Sequence, residues 1–579
     1  AYTFSDSFWF SAVEGEVYAM SSFFTALVFW AILKWDADDT AKADKWIVFI
    51  AYMMGLSVGV HLLNLLAIPA IVMIVYFKRY TPTRKGLIIA GLVALGLLGV
   101  IQNGIIPGIV NAAANYELFF VNSIGLPPNG GTIIYFLLLV GMIVTGLMYT
   151  SKGGDQLYKR FIYVGAAFFL FSLLGAVIYG KAMMTVLTIA GAGYMLYKMK
   201  HNRHVLNTIL LSFTVLLIGY SSFFILVIRS QANPPMDENN PENAISLLSY
   251  LNREQYGDWP IAYGPYYNAP LDVEDPADDG NPVYALDENL GEYVIIDARK
   301  QTNYKFASEM STVFPRMWEM NQRSHVVPYE EWGNIAKNHT KVKLMNRQTG
   351  EMETFKKPTM AANITYFWNY QIKWMYWRYF NWNFVGKQND IQGHGNVTDG
   401  NWQSGIAPFA DVDMDKAPER LKHNAANNKF YYLPFLLGLL GLIFHFVRDW
   451  RNALVVFLLF LFTGLAIVIY LNQYPLQPRE RDYAYTGSFY AFALWIGMGA
   501  FAVIHFLRSI VGRKDIAIGM AQSPMVGLIK LVGEKSERAG KLVAVACGLL
   551  LTAIVPMLMA SQGWDDHDRS DRYTARDFA

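Results

Sequence analysis

Long apolar stretches, each near the ~20 residues that cross a hydrocarbon core, alternate with short polar connections over most of the chain. They cover residues 19–33, 46–77, 86–105, 132–149, 161–179, 182–197 and 205–228, and resume at 431–447, 454–471, 487–506 and 542–560. The 46–77 stretch is too long for one untilted helix and is expected to break. Gly55-Leu-Ser-Val-Gly59 offers a small-residue packing face there. His61 and Asn64 follow one turn apart and suggest a re-entrant or paired-helix turn, or hydrogen bonds to neighbouring helices. With that split, the pattern predicts an α-helical polytopic membrane protein of about 12 spans. Residues 106–131, with Pro107, Pro127, Pro128 and an Asn/Gly-rich end, read as a surface or interfacial loop.

Composition points the same way. Charged residues make up 16% of the 579 positions, against an ordinary ~25%, and 53% are hydrophobic. A formal net charge of +2 gives no argument for a nucleic-acid partner, and none is expected. The one cysteine, Cys547, excludes an intramolecular disulfide and a cysteine-built metal site. Basic residues recur on alternate connections: Lys78-Arg79 with Arg84-Lys85, Lys152 with Lys159-Arg160, Lys198 with Lys200 and Arg203, Arg448 with Arg451, and the Arg508 to Lys514 region. The positive-inside rule makes these cytoplasmic, which puts residues 1–16 and the segment after Arg229 on the outer face. The chain then divides into an N-terminal bundle (1–228), an outer insertion of α/β or mixed structure (229–430), C-terminal spans (431–560) and the start of a further outer segment (561–579).

Within the insertion, residues 366–384 are aromatic on nearly every turn and predict an interfacial helix, or the roof of a lipid-binding groove. Asp411, Asp413 and Asp415 alternate as in a calcium loop. Lys416 and Lys422 stand where its glycine and closing glutamate belong, so that reading is rejected. The acid cluster from Asp272 to Asp279 reads as a solvated loop.

Three features carry candidate chemistry, all on the outer face. Glu14 and Glu16 sit at the mouth of the first apolar run, where acids need a cavity, a cation or water. On a helix they point about 200° apart, so one can face a shared site. Glu16 is the choice and Glu14 the second candidate, with two solvated interfacial acids as the plain alternative. Arg479-Glu480-Arg481-Asp482 lies in a short loop, either as an internally paired cap or with guanidiniums that grip a phosphate. Arg229, followed by Asn233-Pro234-Pro235, is a further phosphate candidate or a snorkelling arginine. Cations at membrane level beside acids suit a phosphorylated lipid, with a carboxylate to take a proton from an acceptor hydroxyl.

The strings Trp9-Phe-Ser-Ala-Val-Glu-Gly-Glu-Val-Tyr18, Gly55-Leu-Ser-Val-Gly-Val-His-Leu-Leu-Asn64, Asn233-Pro-Pro-Met-Asp-Glu-Asn-Asn-Pro241, Asn389-Asp-Ile-Gln-Gly393 and Gln477-Pro-Arg-Glu-Arg-Asp-Tyr-Ala484 resemble a bacterial membrane family similar to the protein O-mannosyltransferases of GT-C fold. The resemblance implies transfer of a sugar, with mannose expected, from a polyprenyl-phosphate donor to Ser or Thr of exported proteins. It implies a multi-pass protein of the bacterial inner membrane with a periplasmic active face. Glu16 falls on the family's acid as a supporting group. His61, Asn64, Arg229, Asn233, Arg479, Glu480, Arg481 and Asp482 fall in or beside its other strings as substrate-binding residues. A divalent cation is a possible cofactor, and no residue is assigned as its ligand. Against that family the sequence reads as a fragment whose N-terminal catalytic loop lies upstream of Ala1. A lipid-linked sugar carrier or flippase, and a scaffold subunit of an envelope export or glycosylation complex, are the alternatives.

Overall fold

The computed structural model describes residues 1–570 apart from 41, 180–181, 200–201, 255–256, 258, 288, 346–349, 407–415, 417 and 512–522. The calcium-like aspartates 411, 413 and 415 therefore lie outside the described residues. Among those described, nine helices are long and apolar enough to cross a membrane, and Lys45–Val58 and Leu433–Arg448 are shorter apolar helices.

Polar contacts fix the two ends of the bundle. At one end Lys78 Nζ donates to the carbonyls of Trp35, Asp36 and Asp38 at 2.7, 2.7 and 3.0 Å, satisfying the C-terminus of the Val17–Ala37 helix. Phe77 meets Trp450 there, 5.6 Å between ring centroids, so the Arg448–Arg451 connection belongs to the same basic end. At the other end lie residues 1–16, the insertion and the 472–482 loop.

The 46–77 stretch breaks as expected. Helix Lys45–Val58 ends at Gly59, a six-residue 3-10 turn Leu62–Ala67 follows, and Ile68–Arg79 runs back. Asn64 Nδ2 donates to Ser57 Oγ (3.0 Å) and clamps the turn. Gly55 is the close-approach point: a Cβ there would lie 2.2 Å from the Leu216 carbonyl of helix Arg203–Tyr220. The same device joins Leu433–Arg448 to Thr486–Ile510, where a Cβ on Gly441 would meet the Trp495 carbonyl at 1.8 Å.

One expectation is corrected. Residues 106–131 are not a loop through most of their length. Arg84 to Ser123 is continuous helix, in which Pro107 follows directly on the π-wound segment Val100–Ile105, a local change of winding that accommodates a residue without an N–H. The aromatic 366–384 stretch is helical, as expected. Tyr366, Tyr370, Tyr376, Tyr379, Phe380 and Phe384 are buried against the C-terminal helices, and the chain is wound as a π-helix over Phe367–Trp377 between α-helical ends.

The insertion is mixed, with short helices and four two-stranded antiparallel pairs, among them Val283–Asp287 with Glu292–Asp297 and His339–Met345 with Met352–Pro358. It is bolted to the end of helix Leu465–Leu471. Arg316, fully buried, donates from Nη1 to the Ile469 carbonyl (2.9 Å) and from Nη2 to the Ile261 carbonyl (3.0 Å). Trp318 and Trp259 donate to the carbonyls of Asn472 and Tyr470, both at 2.8 Å. These donors pair carbonyls that a helix C-terminus leaves open. Lys305 bridges Asp275 and Asp278 at 2.6 and 2.7 Å within the acidic loop.

Candidate functional site

The 472–482 loop is held rigidly before it reaches its charges. Buried Asn472 donates to the carbonyls of Pro260 and Pro315 (2.7 and 2.9 Å), and Gln371 Nε2 donates to the Gln473 carbonyl (2.8 Å). From there Arg479-Glu480-Arg481-Asp482 does not pair with itself. Its two acids turn inward and its two arginines do not follow them.

Glu480 takes both branches of Arg378, Nη2 to Oε2 at 2.6 Å and Nη1 to Oε1 at 3.2 Å. The Tyr379 hydroxyl donates to Oε2 (2.5 Å) and the Gly393 amide to Oε1 (3.0 Å). Burial works to raise the Glu480 carboxyl, but Arg378, Tyr379 and Gly393 together hold it below its ordinary value. Both oxygens of Glu480 are thus occupied by protein donors. Asp482 also faces inward, hydrogen-bonded to Ser7 and close to Asp6 and Lys387.

The arginines stand beside an aromatic cluster. Tyr18 and Tyr483 stack with centroids 4.3 Å apart, and His61 lies 5.1 Å from Tyr18. The Arg479 guanidinium sits 5.2 Å over the Tyr483 ring. Arg481 donates from Nη1 to the Tyr483 hydroxyl (2.8 Å) and from Nε to Gln477 Oε1 (3.2 Å). Among the described residues, neither guanidinium has a carboxylate within 4.0 Å. His61 Nδ1 accepts from the Leu63 amide (3.2 Å), and burial, with Arg253 as a second cause, pushes the ring down to about 4, so it is neutral at pH 7. Glu16 is exposed at the N-cap of Val17–Ala37, two residues before Tyr18, with its charge felt by the Tyr18 phenol.

The remaining sequence candidates fall elsewhere. Glu14 binds Arg569 at 2.5 Å, which ties the Asp6–Val13 helix to the chain beyond helix Glu537–His567. Asn64 is buried in the hairpin turn, where its Nδ2 bonds Ser57 and its Oδ1 has no partner among the described residues. Arg229 is exposed at the end of Phe224–Ser230 and Asn233 is exposed with φ 48°; no described contact brings either to the tyrosine pair. The structural observations thus gather Glu16, His61, Arg479 and Arg481 and leave Glu14, Asn64, Arg229 and Asn233 outside.

A second, buried charge cluster escaped the sequence reading. Lys387 Nζ lies 3.0 Å from Asp6 Oδ2 and 4.8 Å over the Trp382 ring. Burial works to lower this ammonium, but Asp6, Asp566 and Asp482 carry it above its ordinary value. His567 stacks on Trp9 (4.6 Å), donates from Nδ1 to the Gly563 carbonyl (2.7 Å) and turns Nε2 to Asp6. Asp6, Asp566 and His567 offer three ligand atoms within 4.8 Å of one another, but the Lys387 ammonium already supplies the positive charge at Asp6. Members of this cluster lie up to 561 positions apart, and no local motif marks them.

Residues 1–84 match the family model described as the protein O-mannosyl-transferase TMEM260 N-terminal domain. Residues 257–368 match a family of unknown function, DUF8416. No curated protein and no solved structure matches the chain. The chain is therefore similar to a protein O-mannosyltransferase family over a segment that contains Asp6, Glu16, Tyr18 and His61.

Proposed function

We propose that the chain is a glycosyltransferase of GT-C type that crosses the bacterial inner membrane about 12 times and works at its periplasmic face. It moves a sugar, mannose on the family resemblance, from a polyprenyl-phosphate donor to Ser or Thr of exported proteins. The observation that carries this reading is the pair Arg479 and Arg481. Two guanidiniums without a carboxylate partner among the described residues stand at one end of an apolar bundle beside a Tyr18–Tyr483 stack. Guanidinium forks match phosphate oxygens, and aromatic faces suit a sugar or an isoprenoid terminus.

In the reaction the acceptor oxygen forms a bond to the sugar's anomeric carbon as the bond from that carbon to the phosphate oxygen breaks. The electron pair leaves with the phosphate, where Arg479 and Arg481 offset the growing charge. The acceptor's proton passes to a carboxylate, with Glu16 as a supporting acid. Glu480 and Asp482 serve by holding the loop rather than by touching substrate.

The test uses the full chain in lipid nanodiscs with a labelled polyprenyl-phosphate sugar and an acceptor peptide. Arg481→Ala and Glu16→Gln are expected to abolish transfer at unchanged thermal midpoint. Wild-type rates in both would remove the assignment. Movement of the labelled lipid across a vesicle without glycosylated product would replace it with a carrier.

A further inference from the structure

The basic end of the bundle, opposite the proposed transfer site, holds a cleft of about 600 Å³ between helices Val17–Ala37, Leu433–Arg448, Trp450–Phe462 and Thr486–Ile510. That volume lies in the range of ligand pockets, ~300–1,000 Å³, which are apolar with a few placed polar groups. Its walls are of that kind: Phe29, Phe444, Val455 and Met498. Its mouth is polar, formed by His445, Arg448, Asp449 and Asn452.

We propose that this cleft binds one anionic phospholipid, with a chain between the helices and the phosphate at Arg448 and His445. Three observations converge on that occupant. The imidazole of His445 is 7% exposed and its Nδ1 has no hydrogen-bond partner among the described residues, a cost that a phosphate oxygen would relieve. Arg448, one turn on, is exposed and has no carboxylate within ion-pair distance among the described residues. The acid at the mouth does not oppose an anion freely, because Asp449 is engaged by the Asn452 amide (3.2 Å) and side chain (2.6 Å) as a helix cap. Lys78, Arg79 and Arg451 share this end, as expected for a surface against an anionic leaflet. The assignment is independent of the transfer reading, since none of its residues belongs to that site.

Delipidated full chain is titrated with phosphatidylglycerol and phosphatidylcholine, and bound lipid is counted by native mass spectrometry. Phosphatidylglycerol is expected to bind about tenfold more tightly, because the choline ammonium of phosphatidylcholine offsets the phosphate charge that Arg448 would pair. Arg448→Gln, at an exposed position, should erase that preference, and Leu33→Trp, which narrows the cleft, should weaken both lipids. Arg451→Gln, outside the lining, should change neither. Equal affinity for the two lipids would overturn the proposal, as would an equal loss in Arg451→Gln and Arg448→Gln. Displacement of phosphatidylglycerol by an equimolar polyprenyl phosphate would overturn the phospholipid as occupant.

Discussion

Arg378 and Glu480, 102 positions apart, form a two-point ion pair in which the guanidinium also donates to the Gly400 carbonyl at 2.8 Å and is sandwiched by Trp374 and Tyr379. The pair converts a loop of four consecutive charges into a sorted one. With Glu480 consumed from inside, Arg479 and Arg481 are released from it and reach the tyrosine stack.

Removing one partner of a buried pair leaves the other uncompensated, a loss of about 3–5 kcal/mol. Arg378→Met should therefore lower the unfolding midpoint sharply, and adding Glu480→Leu should restore a large part of the loss. A double-mutant cycle followed by thermal unfolding in nanodiscs measures it. If Arg378→Met alone is as stable as wild type, the pair does not hold the loop.

The two arginines differ in what they need to keep. Arg481 uses Nε and Nη1 in defined directions, so its fork is pre-oriented, whereas Arg479 stands exposed over a ring and acts mainly as charge. Arg481→Lys should raise the KM for the lipid-phosphate donor about tenfold, and Arg479→Lys should leave it within about twofold. Steady-state kinetics in donor concentration separates these outcomes.

His61 sits in the hairpin turn outside the spans, and its folded value of about 4 lies under the ordinary 6.5. The unfolded chain therefore binds the extra proton first as pH falls, so the stabilising contribution is present above pH 6.5 and is lost between 6.5 and about 4. His61→Phe should flatten that part of the unfolding midpoint's pH profile. Glu480 also has a depressed value, but its contribution fades only below its ordinary 4.5, so the two windows can be told apart.

The membrane-length helices were legible because hydropathy itself is the folding signal in a bilayer, and the break at Gly59–His61 followed from length and small residues alone. The helix at 106–123 was not, since a proline following a π-wound helical segment and a proline in a loop look alike in sequence. At the site, the charged loop and His61 could be picked out as polar residues in apolar surroundings. Which of the four charges faced which way depended on Arg378, which reads in sequence as one cation in an aromatic helix. Asp6, Lys387 and His567 meet only because the first helix packs between the insertion and the last span, an arrangement no local pattern encodes.

That buried meeting yields the last prediction. The Lys387 charge is set against Asp6, Asp566 and Asp482 together. Its folded value is raised, so its stabilisation is complete below the unfolded 10.5 and declines only as pH climbs above that. Lys387→Met leaves buried carboxylates facing one another, which costs about 3–5 kcal/mol at neutral pH. The only relief is protonation, so the variant should become more stable as pH is lowered from 8 toward 5, the reverse of the trend His61 imposes on the wild type. Unfolding midpoints of Lys387→Met and Lys387→Arg across that range decide it: the arginine variant should track wild type, and a methionine variant that also tracks wild type would show that the ammonium does not neutralise the cluster.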